Sequence, residues 1–251
     1  MYLKIYRISA EIFCKHRKIV WLLVWQCVFL IITGLTVLVL GVNQTRHGVP
    51  LSRSLLPPVY VFLLLPYFAA AFLGTLAEAM RQNPVTIGNF FGNGLRYFGR
   101  SYGLILSVLL VLVTWLLVIG VLFAVMHIVL RFSLGSSFKI LALVGLFLAL
   151  IGSMWLLWTM NLLFVGGFRW LRAFKYAWIL QRKNFFLSLA ATITALAGQL
   201  ILIIMTLWIT RIAGIGGQMA GLLLVMFLTV FWTLSFMALY RLTRKTQNPS
   251  Q

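Results

Sequence analysis

Acidic side chains are almost missing from this sequence. Only Glu11 and Glu78 carry side-chain carboxylates, and no aspartate occurs among the 251 residues. That scarcity removes the paired carboxylates of general acid–base catalysis and the oxygen ligands that hold magnesium or calcium. Cysteine is scarce too. Cys14 falls in a basic segment and Cys27 in an apolar run, environments too different for a disulfide framework, so both are expected as free thiols. His47 and His127 are the two histidines expected on the outer side, and no Cys, Asp or Glu accompanies them there. The motifs HExxH, GxSxG and GxxxxGK[ST] are absent. We therefore expect no catalytic residue, no metal site, no cofactor and no enzyme.

Charge as a whole is also sparse, at 9% of residues against 63% hydrophobic, with a mean hydropathy of +1.05. A soluble domain of this size carries roughly a quarter charged residues. The solvent such a chain needs is a bilayer, whose core is crossed by about 20 helical residues. Six apolar runs of that order follow one another: Ile19–Gly41, Val59–Ala77, Gly103–Leu130, Ile140–Gly166, Phe185–Ile209 and Gly217–Leu239. Their length and unbroken apolar character exclude the short alternating strands of a barrel. The expected fold is an all-α integral membrane protein with about six transmembrane helices.

The little charge present is nearly all positive, with 21 Lys and Arg and a net charge of +19. In a soluble chain this would point to nucleic acid. Here it reads as topology, because basic residues collect in cytoplasmic connections. Sixteen lie in the N-terminal segment, the second and fourth connections and the C-terminal tail. Only Arg46, Arg53, Arg131, Lys139 and Arg211 lie in the alternate ones. The expected location is the inner or plasma membrane, with both termini cytoplasmic.

Three of the basic segments have helical periodicity. In the first, Lys4, Arg7, Glu11, Lys15 and Lys18 recur every three or four residues. In the second, Ile87, Phe91, Leu95, Phe98 and Tyr102 form an apolar stripe opposite Asn89, Asn93, Arg96 and Arg100. The third, Phe168–Lys183, sets Phe168, Leu171, Phe174 and Trp178 near one face. Each precedes an odd-numbered span, so the single transmembrane domain divides into three hairpins near 1–80, 81–166 and 167–251. Helices of this kind bury aromatics at the acyl boundary while Lys and Arg reach phosphates. Arg96, Arg100, Arg169, Arg172, Lys175, Arg182 and Lys183 are the candidate lipid-headgroup residues.

Within the spans, Gln26, Asn161 and Gln199 are candidate intramembrane polar contacts, either as interhelical hydrogen-bond partners or along a solute path. Glu78 is expected at a helix end, paired with Arg81 three residues on. Pro66 is expected to kink the second span by removing a backbone donor. Rows of small residues such as Ala190, Thr194 and Gly198 permit close helix contact, within one chain or in a homo-oligomer.

The stretches Phe90–Leu106 (FFGNGLRYFGRSYGLIL) and Ala173–Leu189 (AFKYAWILQRKNFFLSL) resemble basic–aromatic elbows in prokaryotic membrane proteins related to the membrane domain of glycerophosphodiester phosphodiesterases. The resemblance implies a membrane module without the soluble enzyme domain and transfers no functional residue. The expected role is a non-enzymatic scaffold whose partners are anionic membrane lipids or an acidic membrane or cytoplasmic protein. Nucleic acid is not expected as a partner. A small transporter or permease subunit is the alternative.

Overall fold

The computed structural model describes residues 2–46, 59–129 and 134–247, so His47, Arg53, Pro57, Pro58 and Arg131 lie outside the described residues. Among the described residues the regular structure is helical throughout, with no strand. The α-helices are α1 (Tyr2–Lys15), α2 (Lys18–Arg46), α3 (Leu65–Met80), α4 (Ile87–Arg96), α5 (Phe98–Ala124), α6 (Leu134–Phe164), α7 (Trp170–Lys183) and α8 (Phe185–Gln247). Six segments are long and apolar enough to cross a membrane: Lys18–Val37, Tyr60–Met80, Phe98–Ile128, Phe138–Phe164, Phe185–Trp208 and Leu224–Arg244. Their outward faces carry large apolar side chains such as Trp21, Leu116, Leu143 and Leu146, each about seven-tenths exposed. A bilayer covers such faces, whereas water would not. The chain is a multi-pass helical membrane protein.

Helix α8 contains two of these spans. Drawn straight, its 63 residues would extend roughly 95 Å, three times a bilayer core. It does not run straight. Gly198 lies against the indole of Trp232, and Gly221 lies against Thr206, so the chain reverses between Thr206 and Gly221.

The short helices α1, α4 and α7 each stop one or two residues before a span, at His16–Arg17, Tyr97 and Asn184. The periodicity predicted one helix through Ile87–Tyr102, but the structure breaks it at Tyr97. Backbone bonding survives the bend. The Tyr97 N–H donates to the Asn93 carbonyl at 2.9 Å, and the Ser101 N–H donates to the Tyr97 carbonyl at 3.1 Å. These bonds carry the backbone pairing of α4 into the first turn of α5.

The chain forms two compact units, Met1–Tyr102 with Ala197–Gln251, and Gly103–Leu196. In the first, α3 is the centre. Ala70, Ala71, Leu76, Ala77 and Ala79 are fully buried there, and small side chains let neighbouring backbones approach. Phe68 packs with Trp25 and Phe29 of α2. Tyr6 and Phe13 of α1 pack on Phe231, Trp232 and Phe227 of α8. Just before α3, which has Pro66 in its first turn, the chain makes a π-helical turn, Tyr60–Leu64. A proline at 66 leaves the Phe62 carbonyl without its i+4 donor. The Tyr102 hydroxyl donates to that carbonyl instead.

In the second unit tryptophans set the helix contacts. Gly152 leaves room for Trp115, since a Cβ there would fall 2.6 Å from the ring. Gly103 lies under Trp170, whose Nε1 donates to Ser107 Oγ at 2.9 Å. Trp158 donates to Ser188 Oγ at 2.8 Å, and Trp155 donates to the Phe174 carbonyl at 3.2 Å.

Candidate functional site

Helix α3 ends in a polar cluster centred on Glu78, which is 8% exposed. Its carboxylate accepts from Arg81 Nη1 at 2.9 Å, from Asn83 Nδ2 at 2.5 Å and from the Tyr97 hydroxyl. Arg96 Nη1 stands 3.5 Å away. The pairing with Arg81 is the one that i, i+3 spacing predicts. Asn83 comes from the turn itself, and Tyr97 and Arg96 come from beyond it, where no local spacing points to them. Arg81 also donates to the Tyr97 hydroxyl at 3.2 Å, and the guanidinium groups of Arg96 and Arg100 lie 5.6 and 4.8 Å from the Tyr97 ring centre. Burial first, then the hydrogen bond and charge of Glu78, raise the Tyr97 phenol above its ordinary range.

The turn that assembles this cluster is a Schellman closure. The Gln82 N–H donates to the Ala79 carbonyl at 2.9 Å, and the Asn83 N–H donates to the Glu78 carbonyl at 3.1 Å. Gln82 occupies the left-handed position with φ of 65°, where glycine is usual. Thr86 then caps α4, its side chain accepting from the Asn89 N–H at 3.1 Å. Helix α4 folds back onto α3 through Phe90, Asn93, Gly94 and Tyr97. Asn93 Nδ2 donates to Thr75 Oγ1 at 3.1 Å, and Gly94 and Gly74 make room for the rings of Tyr67 and Tyr97.

This docking face is not the apolar stripe seen in the sequence. Ile87 and Leu95 of that stripe remain 66% and 74% exposed, and Asn93, placed on the polar side by spacing, is buried. Helix α7 behaves alike. Ala173, Ala177 and Gln181 face inward, Gln181 donating to the Ile151 carbonyl at 3.2 Å, while Leu171 and Trp178 stay exposed. In a membrane the small and hydrogen-bonding side chains mark the protein contact, because lipid satisfies large apolar ones equally well.

Of the candidate headgroup residues, Arg96 reaches Glu78 and Arg100 is half-buried against Tyr97. Arg169, Arg172, Lys175, Arg182 and Lys183 are exposed. None of those five has a carboxylate partner among the described residues, since Glu11 pairs with Arg7, and Glu78 with Arg81 and Arg96. Of the three amides, Gln26 and Asn161 are buried and Gln199 is exposed. No group of three or more His, Cys, Asp or Glu able to hold a metal occurs among the described residues.

Beside the Glu78 turn lies a cleft of about 440 Å³, lined by Lys15, His16, Gln82 and Arg241 among others. Arg241 Nη1 donates to the Met80 carbonyl at 2.6 Å, completing the end of α3. Lys15 ends α1. Both cations sit where helix carboxyl ends favour positive charge, a sufficient structural reason for them. Burial, then the charge of Lys15, lowers the His16 pKa.

Comparison with known proteins returns nothing: no family model, no curated protein and no solved structure matches the chain.

Proposed function

We propose that this multi-pass membrane protein is a non-enzymatic scaffold that engages anionic lipid headgroups, with both termini in the cytoplasm of a cell whose inner or plasma membrane holds it. One observation carries the reading. On α7 and its flanks, exposed Arg169, Arg172, Lys175, Arg182 and Lys183 stand among exposed Leu171, Tyr176 and Trp178. The sequence has 21 cationic side chains and two carboxylates, so most of its counter-charge has to come from outside the chain. Lipid phosphates supply that charge at the depth where indole and phenol rings also settle.

The test is native mass spectrometry of the protein released from nanodiscs of mixed phosphatidylglycerol and phosphatidylcholine. The wild-type chain should retain phosphatidylglycerol in excess over its share of the bilayer. Changing Arg172, Lys175, Arg182 and Lys183 together to Gln should reduce that excess severalfold while leaving insertion intact. Equal retention of both lipids by the wild-type chain would remove the proposal.

A further inference from the structure

A second groove, of about 530 Å³, lies within the first unit between the start of α2 and the amino end of α4. Its lining is apolar and aromatic: Leu22, Val85, Ile87 and Phe91, with Trp21 and Trp25. Lys18 and Thr86 are the polar residues of the lining. Trp21 is 71% and Trp25 46% exposed, and no acceptor for either indole N–H occurs among the described residues. Trp25 meets Phe91 edge-on at 5.6 Å and stacks on Phe29 at 5.6 Å.

We propose that this groove is a specific binding site for one anionic phospholipid. Lys18, Trp21, Leu22 and Trp25 belong to the span Lys18–Val37, and Val85, Thr86, Ile87 and Phe91 lie beyond the end of the next span. The groove therefore suits an amphiphile better than a solute. An acyl chain fits the Leu22, Val85, Ile87 and Phe91 floor, where nothing hydrogen-bonds. Donors without protein partners are at hand for the polar part. Indole N–H groups at this level commonly meet ester or phosphate oxygens, and Lys18 supplies a positive charge.

Charge decides the lipid class. No carboxylate lines the groove, and Arg17 precedes Lys18 in the chain. Glu78 is engaged by Arg81, Asn83 and Tyr97, and Glu11 by Arg7. A phosphatidylglycerol-type headgroup leaves a net negative charge for Lys18, whereas a zwitterionic one does not. The site deepens the lipid-binding reading, but it stands in a different unit from the α7 cations and is separable from them.

The experiment is native mass spectrometry of the full chain from the same mixed nanodiscs, with collisional activation raised until loosely held lipid is stripped. One phosphatidylglycerol should survive on the wild-type protein. Lys18→Gln, a change at an exposed side chain, should lower that retained fraction at least fivefold, and Val85→Trp, which fills the floor, should abolish it. The Gln variant of the four α7 cations should keep the single lipid while losing the bulk excess, which separates failure here from failure of the broader reading. A last-retained lipid that is phosphatidylcholine as often as phosphatidylglycerol would overturn the anionic assignment. Retention unchanged in both Lys18→Gln and Val85→Trp would overturn the site.

Discussion

The turn that follows α3 and the turn that follows α6 do the same job with different chemistry. Each ends a membrane span with a residue of positive φ, Gln82 in one and Gly167 in the other, and each sends a short helix back onto that span. The first is tied by charge, through Glu78, Arg81, Tyr97 and Asn83. The second is tied by neutral donors, Trp155 and Gln181 joining α6 to α7 and Trp158 joining it to the start of α8. A neutral tie loses about one hydrogen bond when a partner is removed, whereas a buried charge left alone costs several times more. One of only two acidic residues is therefore placed where its removal has the greatest consequence.

The largest effect should come from Glu78→Ala. It leaves the Arg81 guanidinium and the Tyr97 hydroxyl facing a cavity, and should cost about 2–3 kcal/mol, somewhat below a fully buried pair because Arg81 is partly exposed. Thermal unfolding in detergent measures it. Glu11→Ala, at the exposed Arg7 pair, should change stability by less than about 0.5 kcal/mol. Equal effects of the two substitutions would end the distinction between a structural and a solvated carboxylate. In the neutral turn, Trp158→Phe removes the bond to Ser188 Oγ and should cost about 1 kcal/mol. A loss as large as that of Glu78→Ala would break the comparison.

The two left-handed residues should respond in opposite directions. Gln82→Gly relieves a conformation that costs an L-residue about 1 kcal/mol and should raise the unfolding temperature. Gly167→Ala introduces the same strain and should lower it by a similar amount. If Gln82→Gly destabilises instead, the Gln82 side chain has a role in the adjoining cleft that outweighs backbone strain.

The sequence and the structure agree where a signal is local or compositional. The six spans follow from run length, and the Glu78–Arg81 pair from i, i+3 spacing. They part where a tertiary contact decides. No local pattern marks Tyr97, yet it ends α4, fills the space over Gly74 and donates to Glu78. The docking faces of α4 and α7 were hidden because apolar periodicity identifies a lipid face and a protein face alike. Residues such as Asn93, Gly94, Ala173 and Ala177 tell them apart. Gln199 illustrates the same limit, since a lone amide in an apolar run does not reveal which way its helix is turned, and it lies exposed.

A pH-dependent effect sharpens the comparison most, because only the charged turn sets a phenol against a carboxylate. The Tyr97 proton is held more tightly in the folded chain than in the unfolded one, through burial first and then through Glu78. A group with a raised folded pKa contributes its full stabilisation below the unfolded value, about 10 for tyrosine, and loses it as pH rises through the folded value. Stability should therefore decline above pH 10 in the wild-type chain. Tyr97→Phe should lower stability at pH 8 by about 1 kcal/mol, from the lost hydroxyl, yet decline less steeply above pH 10. Contributions common to both backgrounds cancel in the difference between the two unfolding series. Parallel pH profiles for wild type and Tyr97→Phe would mean that the phenol and the carboxylate are not coupled. The charged turn would then be no more than a neutral one with a guanidinium beside it.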